Sequence, residues 1–183
     1  SPQRGGTPGL GNFGDMLTSE MPLIALGDQW RYFRGTQEPS DPKDAWRQIA
    51  FEDSAWLSGA SPIGFGDTCY TGTLLSGMKD AFISVYFRKT FQVDDPVQVQ
   101  SLILRISYDD GFIAYLNGKE VSRKNMLAVV DAFDTLASST SECTTKLDVL
   151  IPDPGFNLVA GLNVLAIQVH NKTLADGDFG LLP

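Results

Sequence analysis

The strongest constraint on this chain is a strand–turn–strand rhythm that no long helical pattern interrupts. From Ser101 to Tyr108, residues Leu102, Leu104, Ile106 and Tyr108 alternate with Ile103, Arg105 and Ser107, the period of two that marks a pleated strand. Asp109-Asp-Gly111 then signals a turn, and Phe112-Ile-Ala-Tyr-Leu116 a second strand. Asn117-Gly118 predicts a two-residue hairpin, because a type I′ turn needs positive φ at both central positions. Lys119 to Arg123 is the returning strand.

The rest of the chain repeats the pattern. Trp30-Arg-Tyr-Phe33 is strand-like, and Ile83 to Val93 is rich in β-branched and aromatic residues before a turn signal at Asp94-Asp-Pro96. Thr144 to Leu150 and Asn163 to Asn171 complete the set. In the last of these, Leu165, Ile167 and Val169 face one way, while Gln168 and His170 share the other face with Val164 and Ala166. Asp53-Ser-Ala-Trp56 predicts a short helical turn capped by Asp53, and Gly59 to Gly66 a loop. Strands joined by turns without intervening helices predict an all-β chain, an antiparallel β-sandwich or jelly roll. Trp30, Trp46 and Trp56 read as core residues, and Arg88 and Lys89 as a solvated strand face. The 183 residues fit one domain of the usual ~100–200. Residues 21–183 read as the sandwich module. Residues 1–20, with Gly5, Gly6, Gly9, Gly11, Gly14, Pro2 and Pro8, read as a linker or N-terminal arm.

Charge and composition remove several function classes. Twenty-two acidic against 14 basic residues give a net charge of −8, which opposes binding to nucleic acid or to anionic membrane. No apolar run nears the ~20 residues needed to span a bilayer, so membrane insertion is not expected. Ser1 to Gly14 lacks the apolar stretch of a secretory signal, and the missing initiator Met suggests a processed or excised piece. His170 is the only histidine, which excludes a His-clustered zinc site. There is no Gly-x-Ser-x-Gly elbow, phosphate-cradling loop or dinucleotide fingerprint, so the chain is not expected to be an enzyme. Cys69 and Cys143 are either two thiols or one bridge; a bridge would close a long loop and stabilise the chain by ~4 kcal/mol in the chain-entropy model.

An ordered set of motifs then resembles a known family. Trp30-x-Tyr32, Trp46, Phe51-Glu-Asp-Ser-x-Trp56 and Gly59-Ala-x-Pro-Ile-Gly-Phe-Gly66 come first. Tyr86-Phe-Arg-Lys-Thr-Phe91, Asp109-Asp-Gly-Phe-Ile-Ala-Tyr-Leu-Asn-Gly-Lys-Glu-Val121 and Gly161-Leu-Asn-Val-Leu-Ala-Ile-Gln-Val-His-Asn171 follow. The set is similar to galactose-binding-domain-like jelly rolls, including the N-terminal sugar-binding domain of family-2 glycoside hydrolases and accessory modules of extracellular bacterial proteins. The resemblance covers about Leu26 to Phe179. It implies a secreted or cell-surface, non-catalytic module that binds a polysaccharide or glycan beside neighbouring domains of the same polypeptide. The alternative is a structural spacer that packs domains and binds no sugar.

A sugar ring offers an apolar face to an aromatic side chain and hydroxyls to polar ones, so residues in long connections are the candidates. Gly64 to Phe82 supplies Phe65, Asp67, Tyr70 and Lys79 as expected carbohydrate contacts, with edge covering as the competing account for the segment. Gln168 and His170, on an outward sheet face, form a second expected polar site or simply bond to each other. The resemblance also implies a structural calcium, which takes six to eight oxygen ligands. Asp109 with Asp110, and Asp176 with Asp178, are the carboxylate pairs to test, each also suited to a turn.

Overall fold

The computed structural model describes residues 20–127, 129, 131–152 and 157–183; apart from Glu20, the expected arm lies outside the described residues. Among the described residues there are eleven strands: β1 (Gln29–Arg34), β2 (Leu57–Ala60), β3 (Ile63–Phe65), β4 (Thr73–Leu74), β5 (Ser84–Val93), β6 (Leu102–Asp109), β7 (Gly111–Leu116), β8 (Lys119–Lys124), β9 (Lys146–Ile151), β10 (Gly161–His170) and β11 (Phe179–Leu182). They form a six-stranded sheet in the order β2-β1-β5-β10-β7-β8 and a five-stranded sheet in the order β4-β3-β11-β6-β9. All pairings are antiparallel except the two-residue contact of β3 with β4. The expected β-sandwich is therefore the observed one.

Strand alternation builds the core. Leu165, Ile167 and Val169 of β10 point between the sheets with Trp30, Val85, Phe87 and Phe112, and meet Ile63, Leu104, Ile106, Phe179 and Leu181 of the smaller sheet. Each large side chain moved out of water contributes roughly 1.5–3 kcal/mol. Asn117 and Gly118 have φ of 51° and 85° and join β7 to β8, as the hairpin signal required. Asp109-Asp-Gly111 is different in kind from a hairpin. It carries the chain from β6 in the smaller sheet to β7 in the larger one, with Asp110 between them.

A second core covers the outer face of the six-stranded sheet. Tyr86, Ile113, Tyr115 and Ala166 are capped by Trp46, Trp56, Met126 and Ala137, with Phe33, Phe51 and Phe133 packed around them. This layer corrects two expectations. Arg88 does not solvate an outer face. It is 1% exposed, its Nε donates to Asp53 Oδ2 at 2.8 Å, and its other nitrogens donate to the carbonyls of Trp46, Gln48 and Phe51. Asp53 is accordingly the partner of Arg88, and residues 53–56 make a single turn closed by Trp56 N–H donating to Asp53 O at 2.9 Å. Gly59 to Gly66, read as a loop, contains the end of β2 and all of β3. The glycines there serve backbone proximity: a Cβ on Gly64 would sit 2.3 Å from Phe179 O.

Candidate metal centre

Four connections meet at one end of the sandwich and bring acidic side chains together. Asp109 closes β6, Asp178 directly precedes β11, Asp67 follows β3, and Glu142 lies before β9. The β6–β11 register places Gly180 opposite Asp109, which sets Asp178 beside the same strand end. One carboxylate oxygen from each of Asp67, Asp109, Glu142 and Asp178 lies within 4.8 Å of the other three.

The electrostatics of this group are unfavourable as it stands. Two carboxylates ~4 Å apart at an effective dielectric constant of ~20 repel by ~4 kcal/mol. Asp109 is 2% exposed, and its Oδ2, like Asp67 Oδ2, is buried without a hydrogen-bond partner. Burial first, and then the charges of Asp178 and Asp110, push the Asp109 carboxyl up to about 9. Burial and the nearby Asp67 and Asp176 push Asp178 up to about 6. A buried polar atom that lacks a partner is costly and calls for a counter-group.

The donor set fits a hard divalent cation. All donors are carboxylate oxygens. Two oxygens bound on opposite sides of a calcium at ~2.4 Å lie ~4.8 Å apart, so one ion reaches the whole group. Cys69 and Cys143, which lie beside Asp67, are joined to each other with a Cα–Cα distance of 6.2 Å. Their sulfurs offer no thiolate to a softer metal. Glu142 is exposed, and Asp67 and Asp178 are half-buried, so the group opens to solvent on one side.

The structure redistributes the expected site residues. Of the carboxylates expected at calcium, Asp109 and Asp178 stand in the cluster, whereas Asp110 and Asp176 do not. Asp110 accepts from the backbone N–H of Ser141 at 3.0 Å and of Lys172 at 2.8 Å, one on each oxygen. Asp176 accepts from Gly177 N–H and from Thr173 Oγ1 within its own turn. Asp67, expected at sugar, is instead one of the four acids. Glu142 carries no signal of its own in the sequence: no pattern links it to Asp109, and the proximity exists only once β6 pairs with β9 and Ser107 of β6 holds the carbonyl of Cys143.

The other expected sugar contacts are placed elsewhere. Tyr70 is buried with its ring against Gly64 and Gly180, and that burial pushes its hydroxyl pKa well up. Phe65 is half-buried against the inter-sheet core and pairs with Phe179 across β3 and β11. Lys79 is exposed. Gln168 and His170, expected on an outward face, are both 0% exposed. Gln168 Nε2 donates to Asp131 O at 3.3 Å and lies 3.2 Å from His170 Nε2, while His170 Nδ1 lies 2.7 Å from Thr135 O. The segment carrying Asp131 to Ala137 covers them, so the strand face alone gave no sign of their burial. Among the described residues every Trp, Tyr and Phe is buried or half-buried, leaving no exposed aromatic platform.

No protein-family model and no curated protein matches the sequence. Solved structures do match in shape. A β-glucuronidase from an uncultured Clostridium species is 19% identical, with a TM-score of 0.52 over 80% of this chain and 21% of its own. A Ruminococcus gnavus β-glucuronidase in complex with uronic isofagomine is 16% identical, with a TM-score of 0.50 over 81% of this chain and 21% of its own. This chain thus spans about a fifth of the length of the enzymes it matches. The likeness shows the fold: a β-sandwich module of the kind the resemblance implied.

Proposed function

We propose that this chain is a non-catalytic carbohydrate-binding module of a larger extracellular protein, and that it grips glycan at the loop end through a calcium held by Asp67, Asp109, Glu142 and Asp178. The observation that carries this reading is the convergence of four carboxylates on a face open to solvent, one of them buried with an oxygen that has no hydrogen-bond partner. A bound calcium would supply open coordination positions to the hydroxyl oxygens of a sugar. The protein's own part is to hold four acids together, with Asp109 fixed at the base by β6 and Glu142 at the rim. Recognition by hydroxyl coordination also suits a surface on which, among the described residues, no aromatic ring is exposed. Two further observations support the reading: the sandwich is shared with part of proteins named as β-glucuronidases, and the disulfide suits an oxidising, extracellular setting. A modest grip becomes useful when a neighbouring domain acts on the same polysaccharide, because tethering raises effective concentration.

The second reading, a structural spacer between domains, is favoured by the burial of Tyr70 and of all three tryptophans. Affinity electrophoresis over plant, algal and microbial polysaccharides, with calcium and with chelator, separates the two. Retardation that chelator removes supports the binding module. No retardation on any polysaccharide in calcium supports the spacer. Release of reducing sugar by the isolated chain would contradict both.

A further inference from the structure

We infer that the Cys69–Cys143 disulfide is a positioning device for the acidic cluster, and that its reduction by a dithiol weakens cation binding by releasing Asp67. This inference rests on reading the cluster as a cation site.

The four carboxylates are not held in the same way. Asp109 is the last residue of β6, paired through Gly180 to β11, and Asp178 enters that same strand. Glu142 sits between two anchored neighbours. Ser141 N–H donates to Asp110 Oδ1 at 3.0 Å, and Ser107 Oγ of β6 donates to Cys143 O. The sandwich therefore fixes three of the four.

Asp67 belongs to the connection between β3 and β4. Within it, Tyr70 N–H reaches Asp67 O at a long 3.4 Å. Two side chains tie this stretch to the rest, the Tyr70 ring, packed on Gly64 and Gly180, and the Cys69 sulfur, while at its start the Gly66 backbone lies against Gly177 and Asp178. Cys69 is two residues beyond Asp67, and its partner Cys143 is one residue beyond Glu142. The cross-link joins positions 74 residues apart and transmits the fixed position of the 141–143 segment to Asp67. Without it, like-charge repulsion from Glu142 and Asp178 favours conformations in which Asp67 swings away. The buried, unpartnered Asp109 Oδ2 would remain, with one fewer acid to share an ion.

The chemistry is ordinary exchange. A dithiol thiolate attacks the half-buried Cys69 sulfur and displaces the Cys143 thiolate, which takes up a proton. The second dithiol sulfur then displaces Cys69 as its own thiol, so the protein gains two electrons and two protons and the reagent becomes a cyclic disulfide.

The test is terbium(III) luminescence titration of four species: the oxidised chain, the dithiol-reduced chain, and Asp67→Asn in each redox state, with near-UV circular dichroism reporting packing. Losing a group that orients a metal ligand typically costs about 10–100-fold in affinity. The oxidised chain is expected to bind terbium, reduction to weaken it by about tenfold or more with packing retained, and reduction to add nothing in Asp67→Asn. Equal affinity in both redox states overturns the inference while leaving the cation site standing. An equal further loss on reducing Asp67→Asn also overturns it, because the cross-link would then act through another residue. Loss of packing on reduction, repeated in Cys69→Ala/Cys143→Ala, assigns the bridge to global stability and overturns it as well. If the oxidised chain fails to bind terbium, the cation reading itself falls, and this inference with it.

Discussion

Gly180 of β11 lies opposite Asp109 of β6, and this register carries Asp178, two residues upstream, to the buried Asp109 carboxylate. The pairing that closes the smaller sheet therefore also assembles half of the acidic group. Fold and site share one set of hydrogen bonds, so substitutions there need two readouts, one for stability and one for the ion.

Asp109→Asn separates them. The amide keeps the shape of the side chain and removes a carboxyl that burial and its neighbours already hold in the neutral form. Metal-free stability is expected to stay within about 1 kcal/mol of the parent. A ligand at 100 times its dissociation constant adds about 2.7 kcal/mol to a binding-competent fold; the calcium-induced rise in melting temperature is expected in the parent and absent in the variant. Differential scanning fluorimetry with calcium and with chelator measures both.

Tyr70→Ala is expected to act on the core. The ring fills the space over Gly180, where an added Cβ would sit 2.2 Å from Tyr70 Cε2. Removing a buried aromatic costs roughly 3–5 kcal/mol, and Gly180→Ala is expected to destabilise by pushing on the same ring. Urea denaturation of both variants checks this. A Tyr70→Ala chain with unchanged stability would place the ring outside the core.

Arg88 holds the covering layer in place. Its ion pair with Asp53 and its bonds to three carbonyls fix the chain between Trp46 and Trp56 over the six-stranded sheet. Breaking a buried pair by removing one partner typically costs 3–5 kcal/mol. Arg88→Ala is expected to lose about that much, with a change in tryptophan fluorescence as Trp46 and Trp56 become wetter. Arg88→Lys is expected to recover part of it, since an ammonium lacks the planar fork that reaches several carbonyls at once.

His170 makes stability depend on pH. Both ring nitrogens are matched in the neutral form, Nδ1–H donating to Thr135 O and Nε2 accepting from Gln168. Burial lowers its pKa to about 4. The unfolded chain takes up a proton near pH ~6.5, so the unfolded state holds more protons between the two values. The contribution is full above pH ~6.5 and is lost as the pH falls toward 4, to a total of ~3 kcal/mol. The acidic group shifts in the opposite direction, so the quantity to measure is the difference in urea midpoint between the parent and His170→Gln. That difference is expected to shrink as the pH falls from 7 to 4.

The long strands were legible because their information is local. The alternation at Leu102 to Tyr108 and the Asn117-Gly118 turn need nothing beyond their own neighbours to take their form. Gly59 to Gly66 was misread because β3 is three residues long and is held in place by β11, far along the chain. The site was half legible. Asp109 and Asp178 stood out as acids at turns, but Asp110 and Asp176 look the same in sequence and differ only in which N–H groups they meet. Asp67 and Glu142 are brought together by a disulfide and a sheet register, both long-range. The burial of Gln168 and His170 depends on a segment whose path over the sheet leaves no periodic trace.

Isothermal titration calorimetry of the metal-stripped chain with calcium chloride, beside Asp109→Asn, tests the central claim most directly. The expected result is one saturable site per chain in the parent and no heat of binding in the variant. No binding by the parent, or equal binding by the two, would contradict it.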